Sequence, residues 1–144
     1  MNSKPINSIV SFLKYWAPPI IWAFIIFSFS SRPVVHASQI NWQDFIIKKV
    51  GHIIEYAILA TLLYRALKKF GIKGKKAGYY AILATFLYGA TDEFHQTFTP
   101  GRDSRIRDII IGTFGAGLAI YSILDFLPKA PKKLRNWAEK LELI

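Results

Sequence analysis

A chain of 144 residues with 52% hydrophobic and 15% aromatic content is the size of one domain and long enough to bury a core. It has no cysteine, which excludes disulfides and thiolate metal centres. Its formal net charge of +10 would suit nucleic acid, but the basic residues flank apolar runs instead of forming one groove or face, which excludes that class of partner.

The sequence predicts an all-α, integral membrane four-helix bundle, with helices at about 13–31, 48–69, 76–98 and 107–127. The first contains "YWAPPIIWAFIIFSFSS", uncharged from Lys14 to Arg32. Pro18 and Pro19 are expected near its start, where missing backbone donors cost least. In the "VVHAS" that follows, Val35 and Ala37 imitate a signal-peptidase site. The preceding apolar stretch exceeds the usual ~7–15 residues and carries two prolines, so the helix is read as retained.

Helix 2 opens on Lys49, His52 and Glu55 and continues through "YAILATLLY" to Arg65. A basic connection, "KKFGIKGKK", leads to helix 3, whose uncharged run "AGYYAILATFLYGAT" ends in Asp92, Glu93, His95 and Gln96. "TPGRDSR" favours a tight turn into helix 4, which Arg102, Arg105, Arg107 and Asp108 lead into and Pro128 and Pro131 stop. Residues 1–127 thus form the membrane domain. Residues 128–144 form a basic tail that reads as an amphipathic helix on the membrane surface.

Orientation follows from charge. The N-terminus, the 65–76 connection and the tail hold 13 of the Lys and Arg residues, against six in the other two connections. Both termini are therefore expected in the cytoplasm. The polar ends of all four helices then meet at one level, on the extracytoplasmic side.

Helical angles of ~100° per residue sharpen this picture. Ala81, Thr85 and Gly89 form a stripe of small residues that Asp92 and Gln96 continue, while Phe94 and Phe98 point the other way. Asp108 shares a face with Gly112, Gly115 and Ala119. Small faces let membrane helices approach closely, so Asp92, Gln96 and Asp108 are expected to face the interior, with Glu93 and His95 flanking. One ionisable residue in such a place could serve packing alone. A cluster of them reads as a functional site.

"KVGHIIEYAILATLLYRAL", "YGATDEFHQTFTPGR" and "RDIIIGTFGAGL", in that order, resemble the VanZ-like family of bacterial membrane proteins over about residues 25–125. The family pattern corresponds to Lys49, His52, Glu55 and Tyr56, then Asp92, Glu93 and Gln96, then Pro100, Gly101, Arg102 and Asp108. Gly112 departs from it, standing where the family usually carries Asn or Asp. The resemblance implies a bacterial cell-membrane protein linked to resistance to the glycopeptide teicoplanin, and it supplies no settled reaction.

Three mechanisms fit the residues. In a lipid-level binding module, Arg102 takes an anionic head group, with Lys49, Ser31, Glu93, Gln96 and Asp108 as further ligand-binding residues. Its partners would be membrane lipids, lipid-linked wall precursors or a lipoglycopeptide. In a membrane-embedded hydrolase or transferase acting on a lipid-linked phosphate or ester, Glu55 or Asp92 is the base, His52 or His95 the acid, and Arg102 stabilises developing charge. No GxSxG or HExxH motif is present, so no cofactor is assigned. His52, Glu55, Asp92 and His95 are the residue set for a divalent metal in such an enzyme. In a structural role beside wall-synthesis proteins, the small-residue stripes alone would suffice.

Overall fold

A computed structural model describes residues 4–32, 41–72, 74–100 and 104–144. Arg102 and Gly101, and the Val35 and Ala37 of the imitated cleavage site, lie outside them.

The protein is all-α, with no strand among the described residues. The helices are α1 (Lys4–Ser30), α2 (Asn41–Lys69), α3 (Gly74–Gln96), α4 (Ile106–Tyr121) and α5 (Lys132–Lys140). Past Tyr121 the fourth helix widens into a π-helical turn, Ser122–Phe126, then tightens into a 3-10 turn, Leu127–Lys129. The helical path therefore runs about to where the sequence placed its end. Pro128 sits in the 3-10 turn and Pro131 caps α5.

Helices α2, α3 and α4 pack against one another, most extensively α2 on α4, and α1 lies against α2 and touches α3. The core is built from small residues: Ala60, Ala77, Ala81 and Ala116 are fully buried beside Tyr64 and Ile120. Alanine and glycine at the contacts let the backbones approach, and packing then holds the helices without a large apolar interior. Two glycines show how tight this is. A Cβ on Gly89 would stand 2.9 Å from the hydroxyl end of the Tyr56 ring, and one on Gly112 would stand 2.9 Å from the ring's other end.

The surface has the opposite character. Phe24, Phe29, Tyr79, Leu87, Ile110 and Phe114 are among many large apolar side chains left exposed, while Thr85, Asp92, Glu93 and Gln96 are buried. Large apolar side chains outside, with polar ones sheltered within, is a distribution that suits lipid. Among the described residues two helical stretches, Ile9–Ser30 and Ile106–Lys129, are long and apolar enough to cross a membrane. At 23 and 29 residues, α3 and α2 are also longer than the ~20 residues a span requires, but their charged ends lower their average apolarity.

Two expectations change. Because α1 begins at Lys4, Pro18 and Pro19 fall in its interior, not its first turn. They remove the hydrogen bonds to the Lys14 and Tyr15 carbonyls, a loss that packed apolar helices tolerate. The tail does form a short helix with Leu134 and Trp137 exposed, but its end folds back. Glu142 takes a positive φ of 59°, which turns Leu143 into the core. Tyr15 donates to the Glu142 carboxylate at 2.5 Å and Arg65 at 3.3 Å, and Lys14 lies 3.5 Å away.

Candidate functional site

The opposite end of the molecule gathers the polar residues. On α3 the stripe Ala77, Ala81, Thr85, Gly89, Asp92, Gln96 is buried along its whole length, as the 100° periodicity predicts, and Phe94 and Phe98 face outward. Gly112, Gly115 and Ala116 bury the matching face of α4. Helix α2, whose Tyr56 is clasped between Gly89 and Gly112, runs between them.

A partly open hollow of about 240 Å³ lies where α1, α2 and α3 meet. Its polar lining is Ser30 from α1, Lys48, His52 and Glu55 from α2, and Asp92 and Gln96 from α3. Ile26, Phe29 and Ile47 supply the apolar part. Lys48 is exposed, while Ser30, Asp92 and Gln96 are all at most 4% exposed.

Asp92 is 3% exposed. Its Oδ2 accepts a 2.9 Å hydrogen bond from the Gln96 amide, one turn along the same helix, and a longer one of 3.4 Å from the Tyr56 hydroxyl. Its Oδ1 is buried and has no hydrogen-bond partner, and the same holds for the Ser30 hydroxyl. Such groups are uncommon and costly.

The neighbouring acids are differently supplied. Lys49 of α2 forms an ion pair with Asp108 of α4, both side chains less than 15% exposed. His52 stands between two carboxylates, 3.9 Å from Glu55 and 4.0 Å from Asp108. Glu93, expected only to flank, is 3% exposed, because the segment leading into α4 folds over it. The Arg105 backbone N–H donates to it at 2.9 Å.

His95 stands apart from the hollow. Its ring packs on Phe27 at 4.5 Å between centroids, and its Nε2 meets the Ser31 hydroxyl at 3.2 Å, tying α3 to α1. Ser31, expected as a ligand-binding residue, is occupied by this contact and by the Phe27 carbonyl. Among the described residues, His52, Glu93 and Asp108 bring donor atoms within 4.8 Å of one another, the spacing a metal ion needs. Lys49 already neutralises Asp108 within that set, which leaves it a poor match for a divalent ion.

The fold thus unites Lys49, His52, Glu55, Asp92, Glu93, Gln96 and Asp108, drawn from three helices, at one end of the molecule. The VanZ/LLP1 family model matches residues 2–127, nearly the whole packed region. The chain belongs to this family. No curated protein and no solved structure matches it significantly. With the apolar exterior and two membrane-length helices, VanZ/LLP1 membership identifies a membrane protein.

Tyr56 and Ser30 carry more of the site than their sequence context assigned. Tyr56 lies one turn after His52, the spacing that places it on the same face, and this was its available signal. Ser30 was visible only as a helix end. Gly112 finds a reason here: a side chain at that position would displace the Tyr56 ring that donates to Asp92.

Proposed function

We propose that residues 1–127 form a multi-pass, four-helix domain of a bacterial cell membrane, with both termini in the cytoplasm and the hollow on the extracytoplasmic side. The tail from 128 onward is a basic element at the cytoplasmic surface whose end docks on α1 and α2. The apolar exterior and the excess of Lys and Arg in the inner connections support this orientation.

In this reading the hollow binds the head group of a lipid or of a lipid-linked wall precursor. Exposed Lys48 attracts an anionic group at the mouth, a role that the sequence also gives Arg102, and His52, Glu55, Asp92 and Gln96 orient what enters. The observation that carries it is the pair of buried polar atoms without partners, Asp92 Oδ1 and Ser30 Oγ, in one hollow of about 240 Å³. Family membership extends it to a role in glycopeptide resistance: a protein that holds envelope lipids or precursors on the outer side changes what a lipid-bearing glycopeptide meets there.

Native mass spectrometry of protein purified in mild detergent tests the binding. Wild type is expected to keep a lipid-sized mass that Asp92→Asn loses. Equal spectra, or none with lipid, would refute it. A C-terminal reporter found outside the cell would overturn the topology.

One arrangement favours a second reading, a hydrolase or transferase: His52 lies within 4.0 Å of both Glu55 and Asp108, where it would be poised for proton transfer. Turnover on a panel of lipid-linked phosphates and esters, lost in His52→Gln, would decide for it.

A further inference from the structure

The chemical class of the head group is inferred from the bonding of Asp92, and it rests on the hollow being a head-group site. Of the other acids at this end, Asp108 has the Lys49 cation and Glu93 a backbone N–H, and among the described residues only Asp92 has a buried carboxylate oxygen without a hydrogen-bond partner. Among the described residues, Asp92 is contacted only by neutral side chains, the Tyr56 hydroxyl and the Gln96 amide, and both go to Oδ2. Oδ1 points to no donor although the residue is 3% exposed. A buried carboxylate compensated by neutral groups alone is expensive, and a cation with N–H donors is the partner that offsets both its charge and its empty lone pairs.

Ser30 adds the second acceptor. Ser30 is 4% exposed and lines the same hollow from α1, and its buried hydroxyl has no hydrogen-bond partner. Glu55 lines the wall as well. A hydroxyl of the ligand would satisfy one of these oxygens. A primary ammonium carries three N–H donors and a positive charge. A trimethylated ammonium carries the charge without donors, and a phosphate in this position would be repelled by the carboxylates.

We infer that the hollow takes a primary ammonium group, with Asp92 Oδ1 and Ser30 Oγ as its acceptors. The preferred ligand is therefore a zwitterionic head group, its amine inside and its phosphate at the mouth beside exposed Lys48. The volume, about 240 Å³, holds about eight waters' worth of ligand, enough for a phosphoethanolamine-sized group.

The experiment offers the full-length protein equal amounts of phosphatidylethanolamine, phosphatidylcholine and phosphatidylglycerol with matched acyl chains. Retained lipids are read by native mass spectrometry, and the fold is checked by gel filtration. Phosphatidylethanolamine should be retained over phosphatidylcholine by about tenfold, the worth of one charge-assisted hydrogen bond. Asp92→Asn should abolish that preference, and Ser30→Ala should lower it severalfold. Ser30→Ala also supplies the reading if Asp92→Asn aggregates.

Equal retention of phosphatidylcholine would overturn the inference by showing that N–H donors are irrelevant. So would a preference for phosphatidylglycerol, or ethanolamine selectivity that survives Asp92→Asn. If either non-amine lipid is retained in a way that depends on Asp92, only the ammonium assignment falls. If no lipid responds to either substitution, the head-group site falls with it.

Discussion

Gly115 is where the packing is least forgiving, and an alanine there tests the α2–α4 interface on which the site is built. An added Cβ would stand 2.9 Å from the Ile53 Cα and 3.0 Å from its carbonyl carbon, with the carbonyl oxygen nearer still. Comfortable carbon contacts lie at ~3.5–4.0 Å, so the helices must part by roughly 0.5–1 Å. The obstacle is backbone, which cannot swing aside as a side-chain end can. Overpacking of this kind costs about 1–3 kcal/mol, against a gain of up to about 1 kcal/mol from replacing a helical glycine with alanine. Gly117, two residues along the same helix, has nothing within 4 Å of its Cβ position, so Gly117→Ala keeps the gain without the clash. In detergent, Gly115→Ala should unfold at a lower temperature than wild type and Gly117→Ala at the same temperature or higher. Because α2 carries Lys49 and His52 while α4 carries Asp108, the first variant should also retain less lipid. Should Gly115→Ala prove as stable as Gly117→Ala, the close approach of these helices is wrong and the site's geometry with it.

Other consequences follow from single contacts. Tyr56→Phe removes a long hydrogen bond of 3.4 Å but keeps the ring between its glycines, so stability should change by about 1 kcal/mol or less. Gln96→Leu, which removes the 2.9 Å bond to the same oxygen, should weaken lipid retention more than Tyr56→Phe does. Lys49→Met strands Asp108 and should destabilise by about 3 kcal/mol, whereas Lys49→Met with Asp108→Leu should recover most of it; a double variant no better than the single would refute the pairing. At the other end, the hydrogen bond from Tyr15, with Lys14 and Arg65 nearby, holds the Glu142 carboxyl below the usual carboxylate range. A depressed acid stabilises docking above its unfolded pKa and loses that contribution as pH falls through the folded one. Amide exchange at residues 141–144, corrected for its intrinsic pH dependence, should therefore accelerate in acid. Glu142→Gln should already show the faster exchange at neutral pH, and equal exchange in the two proteins would exclude the clasp.

Periodicity made part of this legible. The buried face of α3 could be read residue by residue, because a membrane-type helix packs through its small side chains and the acids at its end share their angles. Glu93 could not be read in this way. It lies about 100° from Asp92, and its burial depends on the chain leading into α4 folding over it, an event recorded in no helical repeat. The partner of Lys49 was hidden for the same reason: it lies 59 positions away on another helix. The start of α1 and the return of the tail also escaped. An apolar run marks where a helix needs lipid, not where the helix ends. Glu142 at a positive φ is a turn that residue type does not announce.

The acids at the polar end are better understood by what holds each of them than by their number. A lysine fixes Asp108 and a backbone amide fixes Glu93, and these two bind α4 to the helices beside it. Asp92 takes no part in joining α3 to α4. Its partners are Gln96 on its own helix and a tyrosine that the glycines of two helices hold by shape. A purely structural acid would gain most from a close cation, and this interior has room for one, since Lys49 is placed so for Asp108. Leaving one buried oxygen of Asp92 without a partner in the wall of a hollow that Ser30, likewise unpartnered, also lines costs stability that packing does not require. A cost borne at one point while its neighbours are satisfied is what a binding site predicts and a helix clamp does not.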